Sequence, residues 1–200
     1  MISTFEILLY FSTIPGSYGA FYLYLIMKLS KAQIDEVCKE IELQWDYLLM
    51  AKSVFYNEFY HADEFTSPSF YKKNGFSFKV VIAEPKSKRW LKAANGVSNW
   101  LNQNFIIRLY GILDSKNIRK TENKPEIIQL IETLRPKVGA HTTGSHSPHK
   151  SVLKKATQLI NSLFNAGINE NEVQNFELSI DTVLEPMKVL LIKYIKSLEK

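Results

Sequence analysis

The chain has one cysteine, Cys38, among its 200 residues. That excludes a disulfide framework, a four-cysteine zinc site and an intrachain redox pair, and it suits a reducing compartment. Eight glycines and seven prolines are too few for a loop-rich all-β chain. No solenoid-period repeat runs through the sequence and no linker divides it into halves. With 46% hydrophobic and 22% charged residues, disorder, collagen and coiled coil fail as global descriptions. The length holds one good hydrophobic core rather than two. These exclusions point to a mostly α chain.

Acidic and basic residues are unevenly spread. Residues 1–63 carry four Lys/Arg against eight Asp/Glu, whereas 64–149 carry fourteen against six. Residues 150–200 are close to balanced. A basic middle on a near-neutral frame suits a polyanion partner, because phosphate binding begins with neutralisation by Lys and Arg. The competing reading is a helix face solvated by lysine.

Charge is wholly missing from Ile7 to Met27, ILLYFSTIPGSYGAFYLYLIM. About 20 apolar residues can span a hydrocarbon core, and Lys28 and Lys31 would then face the cytoplasm. Ser12, Thr13, Pro15, Gly16, Ser17 and Gly19 interrupt the run at its middle. A secretory signal lacks both its basic n-region and its Ala-x-Ala site. Three readings compete for residues 1–29: a short element packed on the core, a segment outside the natural domain, and a membrane segment.

From residue 30 onward, apolar residues recur at helical spacing. Ser30 and Gln33 form a capping box for a helix over 31–60, with Ile34, Val37, Cys38, Ile41, Trp45, Leu48, Phe55 and Phe59 inward. Breakers occupy 62–86, where Asn74-Gly75 could close a small hairpin. A second helix over 87–113 turns Trp90, Ala94, Val97, Leu101, Phe105, Leu109 and Ile112 to one side. Pro125 opens a third, 126–135, with Ile127, Ile128, Ile131 and Leu134 inward. Ser147-Pro148 starts a fourth over 148–165, facing Val152, Ala156, Leu159, Ile160 and Leu163 to the core and ending at Gly167. A fifth, 171–198, buries Val173, Phe176, Ile180, Val183, Met187, Leu190, Leu191 and Tyr194, and Pro186 should kink or split it. The expected fold is all-α: an antiparallel bundle of four to five helices, with a small hairpin or irregular loop around 70–84.

One segment could carry chemistry. His141, His146 and His149 fall within nine residues, with Arg135 just upstream. Three imidazoles could reach one metal ion, but the spacing matches no helical ligand pair and no acid lies between Glu132 and Glu170. The alternative is metal-independent RNA chemistry. Histidine carries protons near neutrality, and arginine's fork holds two phosphate oxygens together. On a straight helix Arg135 and His141 would lie about 120° apart, so they converge only through a bend, which Pro136 and Gly139 supply. The bland alternative has Arg135 pairing at a helix end and the histidines in a solvated loop.

An arginine followed four to six residues later by histidine, at the end of a bundle helix, is the signature of HEPN domains. The stretch LIETLRPKVGAHTTG resembles that motif, with Arg135 and His141 at its defining positions, and WLNQNFIIRLYGILDSKN is similar to the second-helix region of its abortive-infection branch. The resemblance covers residues 30–200 as one HEPN-like bundle. It implies a homodimer that brings two Arg-His pairs into one cleft, and a metal- and cofactor-independent endoribonuclease of the cytoplasm. It also implies a toxin–antitoxin or phage-defence setting, with RNA and an antitoxin protein as partners. Arg135 and His141 would be catalytic, with Lys137, Lys116, Arg119 and Lys120 binding RNA. The family usually has a polar residue after the arginine; here it is Pro136. That departure keeps open a non-catalytic binding or structural domain.

Overall fold

The computed structural model describes residues 29–55, 64–66, 79–81, 88–118, 124–135 and 149–199, with backbone alone for 64–66, 79–81, 89 and 90. Helix α1 is Lys31–Val54, followed by strands β1 (Glu64–Thr66) and β2 (Lys79–Val81). Helices α2 (Lys88–Ser115), α3 (Glu126–Thr133), α4 (Lys150–Phe164) and α5 (Glu170–Asn175) follow, and α6 (Glu185–Lys196) continues a π-helical turn, Ile180–Leu184. The architecture is an all-α bundle carrying a minimal two-stranded ladder. The strands pair antiparallel, Glu64 with Val81 and Thr66 with Lys79. Asn74-Gly75 lies outside the described residues.

Helix α1 starts where the sequence says it should. The Ser30 side chain accepts the Gln33 amide hydrogen, and the Gln33 side chain accepts from the Ser30 backbone, which satisfies two donors of the first turn. Ile34, Val37, Ile41, Trp45 and Leu48 are buried on one stripe, and Lys52 extends that stripe. Three contacts fix α2 antiparallel beside it. Lys116 pairs with Glu36 at 2.9 Å, the rings of Trp45 and Phe105 lie 5.6 Å apart, and Lys52 donates to Ser98 at 2.9 Å. Helix α6 lies antiparallel on the other flank. Lys188 pairs with Glu42 at 3.0 Å and sits over the Trp45 ring, while the Leu29 amide donates to the Leu198 carbonyl. That last bond ties Leu29, itself buried, into the bundle.

Helix α3 is the most enclosed element. Five of its eight residues are buried, and it packs against α2, α4 and α6. At about 1.5–3 kcal/mol for each large aliphatic side chain removed from water, this short helix is held by burial rather than by its length. Pro125 stands at its N-cap, where a missing amide hydrogen costs nothing.

Several expectations need correction. Val97 is exposed, because Ala94, Phe105, Ile106, Leu109 and Leu113 already fill the buried side of α2. Cys38, Leu101, Val152, Leu159, Leu163, Ile180, Leu190 and Tyr194 are only partly buried. Helix α4 ends on Asn165, left-handed at φ 51°, and Gly167 turns two residues later. The fifth helix divides at Phe176, and the part that resumes at Ile180 changes from a π-helical turn to α-helix at Glu185, beside Pro186, as expected of a proline there. Phe176 is left-handed, and Asn102 of α2 donates to the carbonyls of Phe176 and Leu178, at 2.8 and 3.1 Å, across the break. Pro186 stands at the junction where the π-helical turn Ile180–Leu184 passes into α6. Phe59 and Pro148, and the Trp90 side chain, lie outside the described residues.

Candidate functional site

Arg135 closes the π-type turn that ends α3, and its side chain is exposed. Its guanidinium carbon lies 4.6 Å from the ring centroid of Tyr110, on α2. The packing of α3 on α2 creates this contact. Leu130, Ile131 and Leu134 are buried, so the last turn of α3 is fixed before Arg135 leaves it. A cation over an aromatic face gains about 0.5–1 kcal/mol at an exposed site. Five N–H donors on one guanidinium leave it able to bind oxygens of a phosphate while it lies over the ring.

Two cations of the basic middle are engaged elsewhere, and one of them, Lys116, was expected to bind RNA. Lys116 is held by Glu36 across the α1–α2 seam. Lys124 donates to both oxygens of Glu132, at 2.8 and 2.9 Å. These pairs neutralise part of the positive charge counted in the basic middle of the chain. Arg135 has no acidic partner within ion-pairing distance among the described residues.

His141, Lys137, Arg119 and Lys120 lie outside the described residues, as do His146, Pro136 and Gly139. His149 sits at the N-cap of α4, with Nδ1 3.0 Å from the Ser151 hydroxyl. Among the described residues no three His, Cys, Asp or Glu side chains lie close enough together to hold a metal ion. No described helix is long and apolar enough to cross a membrane.

Two features escaped the sequence reading. Tyr110 stands beside Leu109 in the sequence and carries no motif; only the packing of α3 on α2 puts it under Arg135. Lys52 is buried on the apolar stripe of α1, where burial pulls its ammonium below its ordinary pKa of 10.5. Its position between Leu48 and Phe55 at helical spacing was the available signal. Cys38 is shifted the opposite way: burial raises its thiol, so it has no activated-thiolate character.

Comparison with family models, with curated proteins and with solved structures yields no match to this chain.

Proposed function

We propose that this chain is a HEPN-like, metal-independent endoribonuclease acting as a toxin or phage-defence effector in the cytoplasm. The observation that carries the reading is Arg135, an exposed guanidinium at the end of a bundle helix, lying over the Tyr110 ring and free of a carboxylate partner among the described residues. Support also comes from the excess of Lys and Arg over 64–149 and from the Arg135–His141 spacing. In this reading the substrate's 2′-hydroxyl attacks the adjacent phosphorus and gives its proton to one imidazole, while the bond to the 5′-oxygen breaks. That oxygen takes a proton from a second, charged imidazole, and Arg135 stabilises the phosphate oxygens meanwhile. One chain supplies His141 once, so a second copy would supply the other. Lys137, Arg119 and Lys120 would hold the flanking phosphates. An antitoxin protein would be the natural restraint on such an activity.

The test is cleavage in chelator. Purified protein should cut single-stranded RNA but not DNA, leaving cyclic phosphate ends, because the nucleophile is the 2′-hydroxyl. Arg135→Ala and His141→Ala should each remove most activity, about 100-fold or more for a general acid–base group. His146→Ala and His149→Ala should be mild. Loss of cleavage in chelator overturns the reading in favour of a metal site.

A second reading is favoured by Pro136, which stands where the family usually has a polar side chain. It makes the domain a non-catalytic RNA-binding or structural module. Salt-sensitive RNA binding without cleavage selects it.

A further inference from the structure

Arg135 and His141 leave unused a groove of about 370 Å³ between the middles of α1 and α2. That volume lies within the roughly 300–1,000 Å³ typical of small-ligand sites. Its buried lining includes Leu48 and Phe105. Tyr47 and Trp100 stand on its walls and are 54% and 57% exposed. Tryptophan is ordinarily among the more buried residues, so a ring this exposed beside a groove calls for an occupant.

Three polar side chains complete the lining: Gln44, Asn104 and Arg108. Asn104 donates one N–H to the Trp100 carbonyl at 3.0 Å, which leaves it a second N–H and its own carbonyl oxygen. Gln44 makes no side-chain hydrogen bond among the described residues. Arg108 is exposed and pairs with no acid among them, not even Glu40, one turn before Gln44 on α1.

We propose that this groove binds one unstacked nucleotide of a single-stranded RNA. The base lies on Trp100, its polar edge meets the amides of Gln44 and Asn104, and a flanking phosphate meets Arg108. The inference rests on the reading above and adds a point of contact apart from Arg135. Tyr110, under Arg135, follows Trp100 by ten residues on α2, about 15 Å along the axis at ~1.5 Å per residue. A few nucleotides of one strand cover that gap, since each spans ~3.4 Å even when stacked.

The lining selects this occupant part by part. Splayed bases are recognised by stacking on aromatic rings and by hydrogen bonds to their edges, and the groove offers both. An extended peptide is less suited. Its recognition draws on free main-chain groups, whereas the backbone in the middle of two helices is already paired within them. A nucleoside triphosphate is less suited as well, because the groove holds a single guanidinium and no helix N-terminus. Charge agrees: α2 has no acidic residue from Lys88 to Leu113, while Lys88, Lys92 and Arg108 are exposed along it.

The test uses the full chain carrying His141→Ala, so that the RNA stays whole, titrated in chelator with a short labelled single-stranded RNA of mixed sequence. Trp100→Ala and Trp100→Leu should each weaken binding about tenfold, the worth of one stacked base, while keeping the helical circular dichroism. Trp100→Tyr should bind nearly as the parent does, because it restores a ring. RNA should quench tryptophan fluorescence in the parent, and that quenching should largely vanish in Trp100→Tyr although binding persists. Arg108→Gln should lower the slope of log affinity against log salt by about 0.7. Val189→Glu, exposed on α6, should change nothing. Undiminished binding by Trp100→Leu overturns the groove as a subsite and leaves the nuclease reading standing, since cleavage is assayed separately. Equal losses in Trp100→Tyr and Trp100→Leu overturn stacking. Displacement of the RNA by an equimolar mononucleotide overturns the single-stranded occupant in favour of a free nucleotide. A lower mass of Trp100→Leu in light scattering, with RNA affinity unchanged, overturns it in favour of a second copy of the chain. Failure of the parent to bind RNA even at low salt overturns the reading beneath it.

Discussion

At Lys52 an ammonium group occupies a place that the apolar spacing of α1 reserves for a hydrophobe. Its hydrogen bond to Ser98 satisfies one of three N–H donors, and burial favours the uncharged amine. The sign of the consequence follows from linkage. With its folded pKa below its unfolded value, the unfolded chain binds more protons between the two, so stability rises as pH climbs through that window toward 10.5. Urea titrations of wild type and Lys52→Met should show this rise in the wild type and its loss in the variant. Asn102 is buried on α2, and its amide donates both hydrogens to the broken segment after α5. Asn102→Asp would set a carboxylate against two carbonyl oxygens and leave both without a donor. At about 1–3 kcal/mol for each buried polar group left unsatisfied, thermal melting should drop clearly in Asn102→Asp. A sequence carries no mark of this role, because the partners of Asn102 are carbonyls more than seventy positions away.

Element ends show where sequence reasoning succeeds and where it stops. The capping box of α1 is legible because Ser30 and Gln33 are three residues apart and their chemistry is local. Pro125 is legible for the same reason. The break after α5 is not, since Pro186 offered a stronger local signal than Phe176. The chain breaks at Phe176 because buried Asn102 holds two of its carbonyls and Ser179 caps the next turn, with its hydroxyl accepting the Thr182 amide hydrogen. Pro186 then falls where the π-helical turn Ile180–Leu184 passes into α6, so its missing N–H coincides with a change of hydrogen-bond spacing. Pro186→Ala should accordingly change Tm little, within about 0.5 kcal/mol of stability as for an ordinary permissive site. Asn165 tests the converse. It caps α4 at φ 51° and is exposed, so Asn165→Gly should be tolerated. Asn165→Val forces a β-branched residue into the left-handed region and should cost about 1–2 kcal/mol in denaturant titrations.

At the scale of the whole molecule, the bundle was legible because burial follows helical spacing in every long element. The candidate site was legible only as residue types. Arg135 is marked by the motif, but Tyr110 beneath it and the carboxylates that occupy its neighbours arise from packing. The same distinction governs how charge should act on a polyanion. Counting fourteen basic residues over 64–149 overstates the available charge, since Glu36 holds Lys116 and Glu132 holds Lys124. A paired lysine releases few counterions on binding because its own field is already neutralised. Each cation that contacts single-stranded phosphate should contribute about 0.7 to the slope of log affinity against log salt. Arg135→Gln should therefore reduce that slope by about one such increment and weaken binding at low salt. Lys116→Gln and Lys124→Gln should leave the slope nearly unchanged, although each removes the same formal charge. Fluorescence titration of labelled single-stranded RNA over a range of potassium concentrations measures all three. Equal slopes losses in the three variants would mean that net charge governs the interaction, whereas a loss confined to Arg135→Gln places the contact at the end of α3.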